Sequence, residues 1–396
     1  MATSRRPDIS TSCARPPADL ESSTSPLAPP LHLSVVYSLD GLDHVDALYE
    51  GREPGFIYAR DGHPNATQLA AKIATIEGAE AALVCASGMA AEASVFLTIL
   101  EQGGEIALSE GVYGRTMALV GRELPRFGIR SRLFDPTRPE TLREALTSAT
   151  HLVFAETLSN PLVRLADIAG LAEIAQGAGI PLVIDHTFAP LLCRPIELGA
   201  ELVTHSATKL IGGHSDLTLG LVAGSQERIT RTASVASSFG LTGNPFESWL
   251  TLRGTATLAV RSARACATAL ALAERLAGHD RIKAVHYPGL TSHPDHDRAS
   301  QVLHGGFGTI VTIDLGGREQ ADAFIRGLRQ IPFAPSLGDV TTTLSHPATT
   351  SHRGQSPDQW TRQGITPGLV RLSIGLEHPD DLWSAIDASL TSQSLT

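Results

Sequence analysis

Apolar residues recur along this chain in two alternating rhythms. Short apolar runs at Ala82–Cys85, Glu105–Leu108, His151–Ala155, Pro181–Asp185, Leu202–Thr204 and Leu219–Ala223 predict buried strands. Most are separated by stretches with helical spacing, for example Pro139–Thr147 and Asp167–Gln176. Leu69, Ile73 and Ile76 fall on one helical face, with Asn65 as the candidate N-cap. The most apolar stretch, Ala81–Leu100, is interrupted by Ser87, Glu92 and Ser94. A bilayer span needs about 20 mainly apolar residues, so this stretch predicts a strand followed by a helix. Strands alternating with helices predict an α/β fold with a mainly parallel sheet covered on both faces.

A long helix-compatible region, Pro245 to about Ala277, leads into a second region. There Gly308–Leu315 and Val370–Ile374 read as strands, Glu319–Leu328 and Asp380–Leu390 as helices. The expected organisation is an N-terminal arm (1–57), a large domain (58–255) and a smaller C-terminal α+β domain (256–396). The first thirty residues, rich in Ser, Pro and Thr, suit a flexible or draped segment.

Composition narrows the function class. The formal charge is −10, with no basic stripe, which disfavours a nucleic-acid partner. Arg5 and Arg6 are followed by no apolar core, so neither a secretory signal nor a membrane association is expected. Cys13, Cys85, Cys193 and Cys266 show no CxxC pair and no disulfide-framework spacing, which fits a reducing cytoplasm. The basic residues are nearly all arginine. Only Lys72, Lys209 and Lys283 could supply a primary amine.

The strongest chemical signal is Thr204-His-Ser-Ala-Thr-Lys-Leu-Ile-Gly-Gly213. A lysine nucleophile must lie close to a bound carbonyl, and the hydroxyls of Ser206 and Thr208 could hold a phosphate; the competing reading is a surface lysine in a polar loop. Asp185 ends an apolar run, where parallel sheets open onto their binding crevice, and could pair with a pyridinium nitrogen. It could equally cap a following helix. In Cys85-Ala-Ser-Gly-Met-Ala90 the amides of Ser87, Gly88 and Met89 would face an anion at a helix N-terminus, although any strand-to-helix turn can use glycine. His286, His293 and His296 match no standard metal-ligand spacing, so no metal is expected.

Taken in order, Tyr58-Ala-Arg60, Pro64, Ser87-Gly88-Met89, Tyr113-Gly114, Glu156, Ser159-Asn160-Pro161, Asp185 with Thr187-Phe188, and Ser206-Ala-Thr-Lys209 resemble the transsulfuration enzymes. So do Ser336-Leu-Gly338, His346-Pro-Ala348 and Gly368-Leu-Val-Arg371-Leu-Ser. These are the Cys/Met-metabolism group of pyridoxal-phosphate proteins, of the cystathionine γ-synthase, cystathionine γ-lyase and methionine γ-lyase type, and the likeness runs from about Leu31 to the C-terminus.

The resemblance implies pyridoxal-phosphate fold type I, with pyridoxal 5'-phosphate carried as a Schiff base on Lys209, which also moves protons. It implies that Asp185 meets the ring nitrogen, that Tyr113 stacks on the ring, and that Ser87, Gly88, Met89, Ser206 and Thr208 hold the phosphate. Tyr58 and Arg60 would reach the phosphate of a neighbouring subunit, making a homodimer with shared sites, assembled further into a tetramer. Asn160 would lie near the cofactor's phenolic oxygen and, with Ser336 and Arg371, bind the substrate, Arg371 taking its carboxylate. The implied activity is that of a lyase or γ-replacement enzyme for a γ-substituted, sulfur-containing amino acid, with cystathionine γ-synthase, homoserine-ester sulfhydrylase and β-lyase chemistry as alternatives.

The chain departs from the family pattern at four places. His63 and Asn65 flank Pro64, and His186 follows Asp185; all three are expected at the walls of the cofactor pocket. Arg115 and Thr341 are expected where side-chain specificity is set. Arg115 could meet a distal anionic group of the substrate or form an ordinary ion pair with a surface acid.

Overall fold

The computed structural model describes residues 24–392, so most of the expected flexible segment lies outside the described residues. The chain divides into Met1–Pro30 and Leu31–Thr396, and every named helix and strand belongs to the second unit. A seven-stranded sheet is built from β1 (Ala81–Cys85), β2 (Glu105–Ser109), β3 (Arg130–Phe134), β4 (Thr150–Glu156), β5 (Leu182–Asp185), β6 (Leu202–Ser206) and β7 (Gly220–Gly224). Its order is β1-β7-β6-β5-β4-β2-β3, parallel from β6 to β3, with β7 antiparallel to both of its neighbours. A second, antiparallel sheet has the order β10-β11-β9-β8, from β8 (Ala284–His286), β9 (Ile310–Asp314), β10 (Thr343–Ser345) and β11 (Leu369–Ser373).

Side-chain alternation explains why the central strands read as continuous apolar runs. Leu152 and Phe154 of β4 pack on one face of the large sheet, beneath the helix Gly88–Ile99, whereas Val153 and Ala155 pack on the other. That second face is covered by the helices Pro139–Ala145 and Ile168–Gly177. The helix Pro245–Ala277 has Asn244 as its N-cap, accepting from the Glu247 amide at 2.9 Å, and Pro245 in its first turn. It runs without a break from the large sheet, through residue 255, to the core of the small sheet, where Leu272 and Leu276 are fully buried.

The predicted strands and helices are present with ends displaced by one or two residues. Three strands escaped the hydrophobic pattern, for different reasons. β3 is an edge strand with exposed Arg130, Ser131, Arg132 and Leu133, so its sequence carries no buried face, while β8 and β10 have only three residues each. The N-cap of the helix Pro64–Glu77 is His63, not Asn65. The His63 Nδ1 accepts from the Ala66 amide at 3.1 Å, and Asn65 instead accepts from the His32 amide at 2.9 Å. Among the described residues no helix is long and apolar enough to cross a membrane.

Candidate active site

The parallel strands β4, β5 and β6 end side by side at Glu156, Asp185 and Ser206, with Glu156 opposite Asp185 in register. A cavity of about 670 Å³ opens at that edge. It gathers Ser87, Gly88, Met89, Tyr113, Arg115, Asn160, Asp185, Ser206, Thr208, Lys209, Ser336 and Arg371 from across the sequence. Tyr58 and Arg60 are the predicted site residues that do not line it. Both are exposed, with the Arg60 guanidinium 5.3 Å from the centre of the Tyr58 ring.

One end of the cavity is built for an anion. The Ser87 hydroxyl caps the helix Gly88–Ile99 by accepting from the Ala90 amide at 3.1 Å, leaving the Gly88 and Met89 amides in the unpaired first turn. A Cβ on Gly88 would lie 2.7 Å from the Ser206 Cβ, and one on Gly220 would overlap the Ser87 carbonyl oxygen. The turn therefore depends on two glycines to press against β6 and β7. The Ser206 hydroxyl has no hydrogen-bond partner among the described residues, and Thr208 is held by the Leu219 amide at 3.1 Å.

Lys209 is fixed from behind. Arg261 of the long helix donates to the carbonyls of Leu210 (2.7 Å), Ile211 (3.0 Å) and Gly254 (2.9 Å), clamping the turn that follows the lysine. Gly338 (φ +79°) lets the segment 336–338 approach the same backbone, where a Cβ would lie 2.5 Å from the Leu210 nitrogen. Lys209 Nζ donates to Ser336 Oγ at 3.1 Å. Burial, and secondarily the charge of Arg371, lower the lysine pKa, so more of the amine is free to act as nucleophile or base.

Arg371 is 4% exposed and donates to Asn160 Oδ1 and to the Ser336 carbonyl, both at 2.9 Å, while its Nε has no partner among the described residues. Burial brings its pKa down to about 10. A buried guanidinium with an unsatisfied donor is matched to a carboxylate. On the floor, Asp185 accepts from the Thr187 amide at 2.8 Å, and burial raises its pKa. Glu156, which accepts from the Tyr113 amide at 2.6 Å, and Glu92, which accepts from the Thr116 hydroxyl at 2.8 Å, are pushed well above the carboxylate range. Burial is the main cause, and the Asp185 charge comes second. A cation placed against Asp185 would relieve that cost.

Sequence reading missed Glu92, Thr350, Ser351 and Arg353 as lining residues. Glu92 offered one signal, a lone acid in an otherwise apolar helix. Some expectations about the departures are corrected. His63, Asn65 and His186 do not line the cavity. His63 Nε2 meets the Gly243 carbonyl at 3.1 Å, and His186 lies between Thr157 Oγ1 (2.7 Å) and the Cys193 carbonyl (3.1 Å) on the other side of β5. Thr341 is exposed and outside the lining, its amide bonded to Asp339 at 2.7 Å. In the histidine-rich segment, His296 Nδ1 meets the Pro288 carbonyl at 2.9 Å. No group of three or more His, Cys, Asp or Glu among the described residues could hold a metal ion.

The donor set fits pyridoxal phosphate. It has a helix N-terminus and hydroxyls for a phosphate, a buried carboxylate for a ring nitrogen, an amine for the aldehyde and a guanidinium for a substrate carboxylate. Comparison with known proteins agrees. A family model for Cys/Met metabolism PLP-dependent enzymes matches residues 10–391. The chain is 37% identical over 371 residues to an L-methionine gamma-lyase of Pseudomonas putida, covering 93% of both chains. It is 40% identical over 338 residues to an O-succinylhomoserine sulfhydrylase of Pseudomonas aeruginosa, covering 85% of this chain and 84% of that one. Among solved structures, a cystathionine gamma synthase from Xanthomonas oryzae pv. oryzae superposes with a TM-score of 0.88 at 35% identity over 94% of each chain. Fold, cavity and sequence together establish that this chain belongs to the Cys/Met-metabolism family of pyridoxal-phosphate-dependent enzymes.

Proposed function

We propose that this protein is a lyase or γ-replacement enzyme acting on a γ-substituted, sulfur-containing amino acid. The observation that carries the reading is the line Lys209–Ser336–Arg371–Asn160 across one cavity, which places an amine base beside an unsatisfied carboxylate receptor. Bound pyridoxal phosphate supplies an electron sink for charge developing on the substrate carbons. The protein's own groups do the rest. Arg371 and Asn160 take the substrate carboxylate and fix which face of Cα meets Lys209. The Lys209 amine, freed by the incoming substrate amine, removes the Cα proton; its flexible stem then reaches Cβ, which γ-chemistry requires. Asp185 would hold positive charge at the ring nitrogen, Tyr113 would cover one face, and Ser87, Gly88, Met89, Ser206 and Thr208 would anchor the phosphate.

The same reading assigns Tyr58 and Arg60 to the phosphate site of a neighbouring subunit, in a homodimer assembled into a tetramer. Their exposure and their absence from the chain's own cavity support it. It also retains the three-part division 1–57, 58–255 and 256–396, supported by two separate sheets joined by one long helix. A cytoplasmic location is supported by Cys85, Cys193 and Cys266, which are free and buried among the described residues.

Hydrogen exchange in heavy water, with unreactive norleucine as ligand, tests the chemistry. A γ-acting enzyme exchanges protons at both Cα and Cβ. Exchange at Cα alone, with pyruvate formed from cystathionine, would make this a β-lyase instead.

A further inference from the structure

The rim of the cavity carries two arginines from separate elements. Arg115 follows Tyr113 and Gly114 at the start of the helix Gly114–Ala118, and Arg353 lies in the segment after the short helix Pro347–Thr349. Both line the cavity, both are exposed, and neither guanidinium has a hydrogen-bond or ion-pair partner among the described residues. Most other arginines near the cavity are engaged: Arg261 clamps backbone carbonyls, Arg371 holds Asn160 and Ser336, and Arg122 reaches the Gly354 carbonyl at 3.4 Å.

The two elements are pressed together. A Cβ on Gly114 would overlap the Ser351 carbonyl oxygen, so this glycine sets the approach of the 350–353 segment. That segment is held from behind. The His352 amide donates to the Pro347 carbonyl at 2.9 Å, and Trp360 Nε1 donates to the His352 carbonyl at 3.0 Å. The His352 ring is fully buried and lies 2.8 Å from the Ser351 hydroxyl. Burial, then the charge of Arg371, bring its pKa down to about 4, so the ring is neutral and adds no third charge to the rim. Two like charges lining one cavity, neither of them paired with an acid among the described residues, favour an anion that both can reach.

We propose that Arg115 and Arg353 form a clamp for a distal carboxylate, so that the preferred substrate is an amino acid whose γ-substituent itself ends in a carboxylate. This deepens the γ-chemistry reading and rests on it for turnover. Ligand binding is independent of turnover, and it separates the two. Arg353 also borders a neighbouring cleft of about 490 Å³ that contains Arg318, which supplies a control residue outside the active cavity.

The experiment is calorimetric titration of the holoenzyme with unreactive amino acids: 2-aminoadipate, 2-aminopimelate and 2-aminosuberate against norleucine. One charge-assisted pair is typically worth about tenfold in affinity or more, so the best-fitting dicarboxylate should bind at least about tenfold more tightly than norleucine. The Arg115→Gln and Arg353→Gln variants should each reduce that ratio severalfold, and the double variant should bring it near one. Arg318→Gln should leave it unchanged. A wild-type ratio near one for every chain length, or a ratio preserved in the double variant, overturns the clamp even if the enzyme proves to be a γ-lyase. Conversely, a ratio that collapses in the double variant while no elimination or replacement is catalysed would uphold the clamp and overturn the proposed reaction.

Discussion

Glu77 and His205 form a buried hydrogen-bonded contact in the core on the side of the sheet away from the cavity, and its removal gives a quantitative test of what holds β6 in place. Glu77 ends the helix Pro64–Glu77, and its Oε1 lies 2.9 Å from His205 Nε2, with the two side chains 2% and 1% exposed. The other polar atom of each, Glu77 Oε2 and His205 Nδ1, has no partner among the described residues, so each group depends on the other. Burial alone would raise the Glu77 pKa. The charge and hydrogen bond of His205, with smaller contributions that include Arg194, outweigh it and hold the pKa below its ordinary 4.5. Removing one partner strands a buried polar atom of the other, which costs about 1–3 kcal/mol or more. Glu77→Ala should reach the upper end of that range, whereas Glu77→Gln keeps a hydrogen-bonding group and should cost less.

Because the folded-state pKa is depressed, this stability is present above about pH 4.5 and is lost as pH falls through the lower folded value. Urea unfolding at fixed protein and cofactor concentration reads the effect. With a slope of about 3 kcal/mol per molar, Glu77→Ala should lower the midpoint by about 1 M or more at neutral pH. The gap between wild type and Glu77→Gln should narrow as the pH falls below the ordinary carboxylate value of 4.5. Replacing both residues, as Glu77→Leu with His205→Phe, should recover much of the loss. A Glu77→Ala variant as stable as wild type at pH 7 would refute the pair's role, and a gap that persists unchanged in acid would refute the charge argument.

Borohydride reduction followed by peptide mapping should find the pyridoxyl group on Lys209, and a label on Lys72 or Lys283 would reassign the site. Arg371→Lys keeps the charge but loses the planar fork that spans Asn160 and Ser336. We expect kcat/KM to fall by about tenfold or more, with the cofactor absorbance spectrum retained. Gly220→Ala should push on the Ser87 carbonyl and displace the Gly88–Met89 turn, weakening cofactor affinity in a phosphate-competition titration; an unchanged affinity would show that the turn yields freely. Mixing Arg60→Ala with Lys209→Ala subunits should restore activity through hybrid dimers, and confirmed subunit exchange without recovery would exclude shared sites.

The sequence by itself determined the class of the fold, because a strand buried on both faces must be apolar throughout and a helix that covers it must repeat every three to four residues. β2, β4, β5 and β6 and the helix Pro245–Ala277 were legible for that reason, and β3 was not, because an exposed edge has no apolar face to reveal. The chemistry was legible where it is local. The Lys209 segment, the Ser87-Gly88-Met89 turn and Asp185 each sit in a short stretch of chain whose residue types raised a chemical reading beside a structural one, and the three line one cavity. Tertiary structure alone decided what depends on contacts between distant residues. Asn160 and Arg371 are 211 positions apart and meet through one hydrogen bond, and the packing of Gly114 on Ser351 joins the elements that bring Arg115 and Arg353 to one cavity. His63 and His186 read as pocket residues from their neighbours in sequence. The alternation of side chains across β5 and the capping geometry at Pro64 turn them away from the cavity, because direction is a property of the backbone and not of the residue's position in a motif.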